Sequence, residues 1–299
     1  MKNVPLVLAL CVLAALPAAA EGGGTVVDEQ GFTVRSRVDW AAGTLDVEAS
    51  RLLDPSTPAL PRAKADAETY IESRLSGFMV AALSPVAVDS GHSFGDLLGN
   101  DAALFSRESN LVSSVQPREL FLSDDFTHLI ARYALPLFGD QGLASPLYPS
   151  QGAPVRSRLG WVPSRPFTGL LIYAKGKLPA VGTEGMAEAR PAIFPRIFDE
   201  QMGLVMEKGM CDPEALARWG MVGYATTLDD PVTLLRAGEL PLRLVARGVF
   251  GGSASDLIIP TEGAMQLLTL PENRKLLQAG KIVVVYDSLD AVATSSPAP

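Results

Sequence analysis

The chain has 299 residues, 47% of them hydrophobic and 19% charged, which is enough apolar material for a sizeable core and unlike a disordered polypeptide. A formal charge of -8 and a pI near 4.9 leave no global basic field, which argues against nucleic acid and anionic lipid as partners. The length favours two domains.

The N-terminus carries a lone Lys2, the apolar run VPLVLALCVLAAL and an A-x-A end at Ala18 and Ala20. That order predicts a secretory signal peptide over residues 1–20, cleaved between Ala20 and Glu21, and therefore an exported, periplasmic protein. The apolar run is shorter than the ~20 residues a spanning helix needs. Lipidation of Cys11 is not expected, because Leu10 rather than a small residue precedes it. Once that segment is removed, Cys211 is left with no partner for an internal disulfide. It reads as a small packed residue before a helix, with a reactive thiol as the alternative, since helix N-termini lower thiol pKa.

Residues 21–138 read as a first α+β domain. Glu21 to Thr25, with three glycines, is expected to be a loose leader. Phe32 to Val38 and Thr44 to Ala49 alternate apolar and polar residues and predict an antiparallel hairpin with one wet face. After Pro55, Pro58 and Pro61, the segment RAKADAETYIESRLSGFMVAAL sets Ala63, Ala67, Tyr70, Ile71, Arg74, Leu75, Phe78 and Met79 at three-and-four spacing, which places the largest apolar residues on one helical stripe that can cover the hairpin. A second helix is predicted from Phe94 to Arg107, followed by strands in SSVQPRELFL and DFTHLIARYALPLF that turn at Ser123-Asp124-Asp125.

The span 139–166 contains Pro146, Pro149, Pro154, Pro163 and Pro166 and no periodicity, which marks a proline-rich linker. Residues 167–288 form the second α+β module. GLLIYA predicts a strand covered on both sides, and PAIFPRIFDEQMGLVMEKG a hairpin turning at Asp199 to Gly203. Asp212 and Pro213 start a short helix that Gly220 stops. PLRLVARGVF reads as one strand and DLIIP as another; Thr261 caps a helix to Leu268, Pro271 opens the next, and KIVVVYD is a final buried strand. The tail 289–299 is expected to be disordered. The fold class expected is α+β: two small domains, each a mostly antiparallel sheet with helices packed on one face.

The segments FTGLLIYAKG, PAIFPRIFDE, WGMVGYATT, SDLIIPTEGAMQLL and ENRKLLQAGKIVVVYD resemble the C-terminal module of LPP20-like exported bacterial proteins, and RAKADAETYIESRL resembles the alanine-rich helix of the LPP20 lipoprotein domain. Related modules occur in a flagellar basal-body H-ring family. The resemblance implies an envelope protein with flagellar association and transfers no catalytic residues. The missing lipidation site departs from the lipoprotein pattern.

One catalytic pattern stands out: Gly91-His92-Ser93-Phe94-Gly95 fits G-x-S-x-G, the turn that exposes a serine nucleophile in α/β-hydrolases. Its partners would be Asp124 and His128, but His128 follows too closely for the strands and helices that normally intervene. The competing reading is a glycine-bounded loop and helix cap. Two histidines and one remaining cysteine make no zinc-type cluster, and Asp124-Asp125 and Asp229-Asp230 read as turns and caps, so no metal is expected. GVFGGS lacks the lysine of a phosphate cradle, and no cofactor is expected. Glu119, Glu207 and Glu239 read as solvated residues, and Trp40, Trp161 and Trp219 as core or domain-interface packing. The first reading is thus a non-enzymatic envelope protein that binds other envelope or flagellar components, with peripheral outer-membrane association and exposed sheet edges near Ser114 to Leu120 as points of contact. The alternatives are a secreted serine hydrolase using Ser93 and a small-ligand carrier with a cavity between its domains.

Overall fold

The computed structural model describes residues 23–27, 31–54 and 59–288; the expected signal peptide over 1–20 and tail over 289–299 lie outside them. The first unit is built from β1 (Gly23–Val27), β2 (Phe32–Asp39), β3 (Thr44–Leu52), α1 (Leu60–Leu83), α2 (Phe94–Asn100), α3 (Ala102–Ser113), β4 (Glu119–Leu122) and β5 (His128–Pro136). Its sheet runs β1-β2-β3-β5-β4, antiparallel throughout. The alternation decides the faces: Phe32, Val34, Leu45, Val47 and Ala49 are buried, while Arg35 and Asp46 face water. Of the predicted stripe, Ala63, Ala67, Ile71, Leu75, Phe78 and Met79 form the buried side of α1, whereas Tyr70 is half-buried and Arg74 exposed at its margin; Phe32 meets the rings of Tyr70 and Phe78, each at 5.6 Å.

Two expectations in this unit are corrected. The supposed leader contributes β1, whose Thr25 and Val26 stand opposite Arg35 and Val34; a free strand edge offers backbone partners that glycine accepts as readily as any residue. The single helix expected from Phe94 to Arg107 is two. Asp101, in extended backbone, ends α2 and caps α3 by accepting from the N–H groups of Ala103 (2.9 Å) and Leu104 (3.0 Å).

The second unit comprises β6 (Leu170–Tyr173), β7 (Lys177–Val181), β8 (Met186–Glu188), β9 (Ile197–Asp199), β10 (Leu204–Met206), α4 (Pro213–Trp219), β11 (Gly223–Ala225), α5 (Pro231–Ala237), β12 (Leu242–Val245), β13 (Gly248–Phe250), β14 (Asp256–Ile259), α6 (Thr261–Thr269), α7 (Pro271–Gln278) and β15 (Ile282–Val285). The α+β class holds, but the sense of the strands differs from the mostly antiparallel expectation. One sheet, β10-β9-β14-β13-β7-β8, is mixed; the other, β11-β15-β6-β12, is wholly parallel. The helices between its strands carry the chain back to the same end, the connection a parallel pair requires. They also cover both faces: Leu171, Val283 and Val285 pack under Val232 and Ala237 of α5, and Leu170, Ile172, Ile282 and Val284 join the main core. PLRLVARGVF is divided between the sheets, with β12 in the parallel one and β13 in the mixed one.

One apolar cluster runs through both units, from Phe32 to Tyr286. Trp40 of the first unit meets Tyr224 of the second edge to face at 5.5 Å. The proline-rich span 139–166 is strapped to the second unit. The fully buried Asn273 donates to the carbonyls of Arg165 (2.9 Å) and Gln266 (3.0 Å) and accepts from the Phe167 N–H (3.0 Å), and Arg158 pairs with Asp199. Arg236, also buried, donates to the carbonyls of Gly280, Trp219 and Gly220 at 2.6–2.7 Å. Burial pushes its guanidinium down to about 9.

Glu108 breaks the apolar pattern. It lies between Leu104 and Val112 on the buried face of α3, fully inaccessible, and neither carboxylate oxygen has a hydrogen-bond partner among the described residues. Burial raises this carboxyl to about 7, against a smaller lowering by Arg107. A raised folded-state pKa means that the protonated form is the one that folding favours. Stability from Glu108 is therefore complete below its unfolded value of 4.5 and falls as pH rises to about 7. Glu108→Gln should stabilise the protein at pH 8 by about 1–3 kcal/mol and flatten the pH dependence between those limits, as read by urea denaturation.

Candidate functional site

The G-x-S-x-G segment folds as a turn and helix start. Asp89 Oδ1 accepts from the N–H groups of Gly91 (2.8 Å) and His92 (2.9 Å) and approaches His92 Nδ1 at 3.0 Å. Ser93 is the N-cap of α2: its hydroxyl donates to Asp96 Oδ2 (2.7 Å) and accepts from the Asp96 N–H (3.3 Å), while that carboxylate takes the Ser93 N–H (2.8 Å). These bonds hold the Asp96 carboxyl below its ordinary value.

The proposed partners of Ser93 are engaged elsewhere. His128 begins β5, with Nδ1 at 2.7 Å from Thr127 Oγ1, and its backbone is tied to Ser123. Asp124 is exposed in the preceding turn, where the neighbouring Asp125 accepts from Ser123 and Thr127, bonds that lower its carboxyl to about 2. No hydrogen bond joins Ser93, His128 and Asp124, so the geometry assembles no triad from them.

Instead, this turn docks the first unit onto the second. Backbone N–H groups of Ile193 and Phe194 donate to the carbonyls of Ala87 (3.0 Å) and Val88 (2.8 Å). Beneath them the fully buried Asp256, at the head of β14, accepts from four groups. Its Oδ1 takes the Arg196 N–H (2.8 Å); its Oδ2 takes Ser90 Oγ (2.7 Å), Arg196 Nε (2.9 Å) and Arg196 Nη2 (2.7 Å). Arg196 Nη2 also donates to Ser90 Oγ at 2.9 Å. Gly251, at φ 87°, passes so close to Ser90 that a Cβ there would collide with it.

Above this knot opens a cleft of about 300 Å³, lined by Asp89, His92, Phe194, Arg196, Glu207 and Lys208. The Lys208 ammonium lies 5.0 Å from the Phe194 ring centroid. Both signs of charge face the cleft, which suits a zwitterionic or mixed polar group better than a simple anion. A second, shallower groove of about 420 Å³ crosses the helix-free face of the first sheet. Arg35, Glu48, Arg132 and Glu119 stand side by side on successive strands, and Arg132 bonds Glu48 (2.9 Å) and Glu119 (3.1 Å).

Among the described residues, no three His, Cys, Asp or Glu side chains are grouped to hold a metal ion. Cys211 is buried, and burial pushes its thiol up to about 12, so it is the packed residue rather than the reactive one. Trp40 packs against the core as expected; Trp219 is half-buried and donates to the Ala279 carbonyl (3.1 Å), and Trp161 is fully exposed on the strap. Arg196 and Asp256 were not singled out by sequence reasoning. An aspartate opening an apolar strand looks like a turn residue until its burial is known.

This is a two-domain α+β protein whose polar residues converge where the domains meet. Its residues 31–141 match the family model of the N-terminal domain of Treponema pallidum Tp0624, and residues 169–288 match that of the second domain of the same protein. No curated protein matches the chain.

Removing Arg196 strands the buried Asp256 charge, whereas removing the Ser90 hydroxyl deletes one of its four donors. Arg196→Ala should therefore cost about 3–5 kcal/mol and Ser90→Ala about 1–2 kcal/mol in chemical denaturation.

Proposed function

We propose that this chain is an exported, non-enzymatic binding module of a bacterial cell envelope. It works through its surfaces on other envelope or flagellar proteins, in the manner that its LPP20-like segments imply. The observation that carries this reading is the engagement of Ser93: the one hydroxyl in a catalytic sequence pattern is closed into a capping box with Asp96. Support also comes from the location of the remaining polar groups. Asp256, Arg196 and Ser90 are bonded to one another, and the arginines and carboxylates of the open sheet face form a charged row suited to contact rather than bond making.

Cell fractionation with N-terminal sequencing tests export: recovery from the periplasm, beginning at Glu21, is expected, and retention in the cytoplasm with Met1 would overturn it. Chemistry is tested separately. The purified protein should take no label from a fluorophosphonate probe, and Ser93→Ala should cost about 1 kcal/mol of stability through the lost cap. Labelling at Ser93 would instead identify a serine hydrolase.

A further inference from the structure

The parallel sheet ends at β12, and nothing among the described residues pairs with its outer edge. The inward groups are accounted for: the N–H groups of Leu242 and Ala246 donate to the carbonyls of Gly169 (2.9 Å) and Tyr173 (2.8 Å), and Leu244 lies opposite Ile172. Strand geometry then turns the N–H and C=O of Arg243 and Val245 outward, two donors and two acceptors on an open edge.

Apolar side chains bracket this edge. Leu240 is 65% exposed at its start, and Val245 is 59% exposed at its end beside the half-exposed Tyr173, its register neighbour on β6. Leu234 of α5 is 61% exposed one turn before Gly238, which packs on Thr168, the backbone partner of Leu240. Together these four residues expose roughly 400 Å² at the two ends of the edge, mostly apolar and comparable in amount to the largest patch on many monomers. With apolar atoms supplying about 60% of an interface, two such patches correspond to about 1,300 Å² of total burial, within the range of stable specific complexes.

We propose that two copies of this chain join through β12, antiparallel, about a two-fold axis at Leu244. In that register Arg243 of each copy stands opposite Val245 of the other, so their outward N–H and C=O groups exchange four hydrogen bonds and no arginine faces its own twin. The two parallel sheets become one continuous sheet of eight strands, since each contributes four. Two of the other described edges suit this less well: β10 is irregular in register between Leu204 and Met206, and Pro117 and the exposed Glu119 stand at the start of β4, while β8 and β11 are one residue shorter than β12.

Sedimentation equilibrium of the purified full-length protein recovered after export tests the pairing. A dimer at about 10 μM is expected, with Val245→Lys weakening it at least tenfold while leaving the far-ultraviolet circular-dichroism spectrum of the folded chain unchanged. A second measurement does not depend on that variant: an equimolar mixture of Arg243→Cys and Val245→Cys proteins, mildly oxidised, should form crosslinked dimers in excess of either protein alone, because residue 243 faces 245 across the axis. A monomer at about 100 μM, or no excess of crosslinks in the mixture, would overturn the pairing, leaving this edge to a different protein or to none.

Discussion

A carboxylate with no exposed surface must be surrounded by donors, and at Asp256 that requirement ties the molecule together. Four hydrogen bonds converge on it from Arg196 and Ser90, residues brought from separate parts of the chain. Ser90 can serve only if the turn from Ala87 to Ser93 lies on the second unit, where backbone bonds to Ile193 and Phe194 hold it. The glycine at 251 gives the closeness that the arrangement demands. The two units are consequently not beads on a string: a polar knot and a shared apolar cluster fasten them.

The same logic explains how the irregular segments are held. A chain without regular structure still carries a carbonyl and an N–H at nearly every residue, and where it is packed against a core these need partners. Here long polar side chains provide them. Asn273 ties down the end of the proline-rich strap, Arg158 anchors its middle to Asp199, and Arg236 gathers three carbonyls near the end of α4 and the turn before β15. These polar side chains are thereby committed to architecture. Glu108 is the exception, a buried carboxyl that has no such partner and therefore carries its burial cost in its protonation.

The two units solve edge and face exposure differently. In the first, a sheet with one wet face leaves a row of alternating charges in water, where opposite signs on neighbouring strands neutralise one another. In the second, the parallel sheet is covered on both faces, so what remains open is an edge with apolar residues at its ends. The surfaces left open therefore lie at places that no single segment of the chain defines.

Local chemistry made much of this protein legible in its sequence. The apolar stripe of α1, the alternation of β2 and β3 and the buried run of β15 depend on neighbours a few residues away, and each formed as its pattern predicts; α4 and α6 start where expected, but Asp212 makes no side-chain cap bond and Thr261 is the first helical residue behind Pro260 rather than the cap. The GHSFG turn was legible in its bland form, since capping is also a local interaction. What only the tertiary structure decided was where distant pieces meet: that β1 finds an edge, that the second unit's strands run parallel, and that Asp256 is buried beside Ser90. Those outcomes turn on burial and on partners far away in the chain, and neither the identity of a residue nor the spacing of its neighbours encodes them one position at a time.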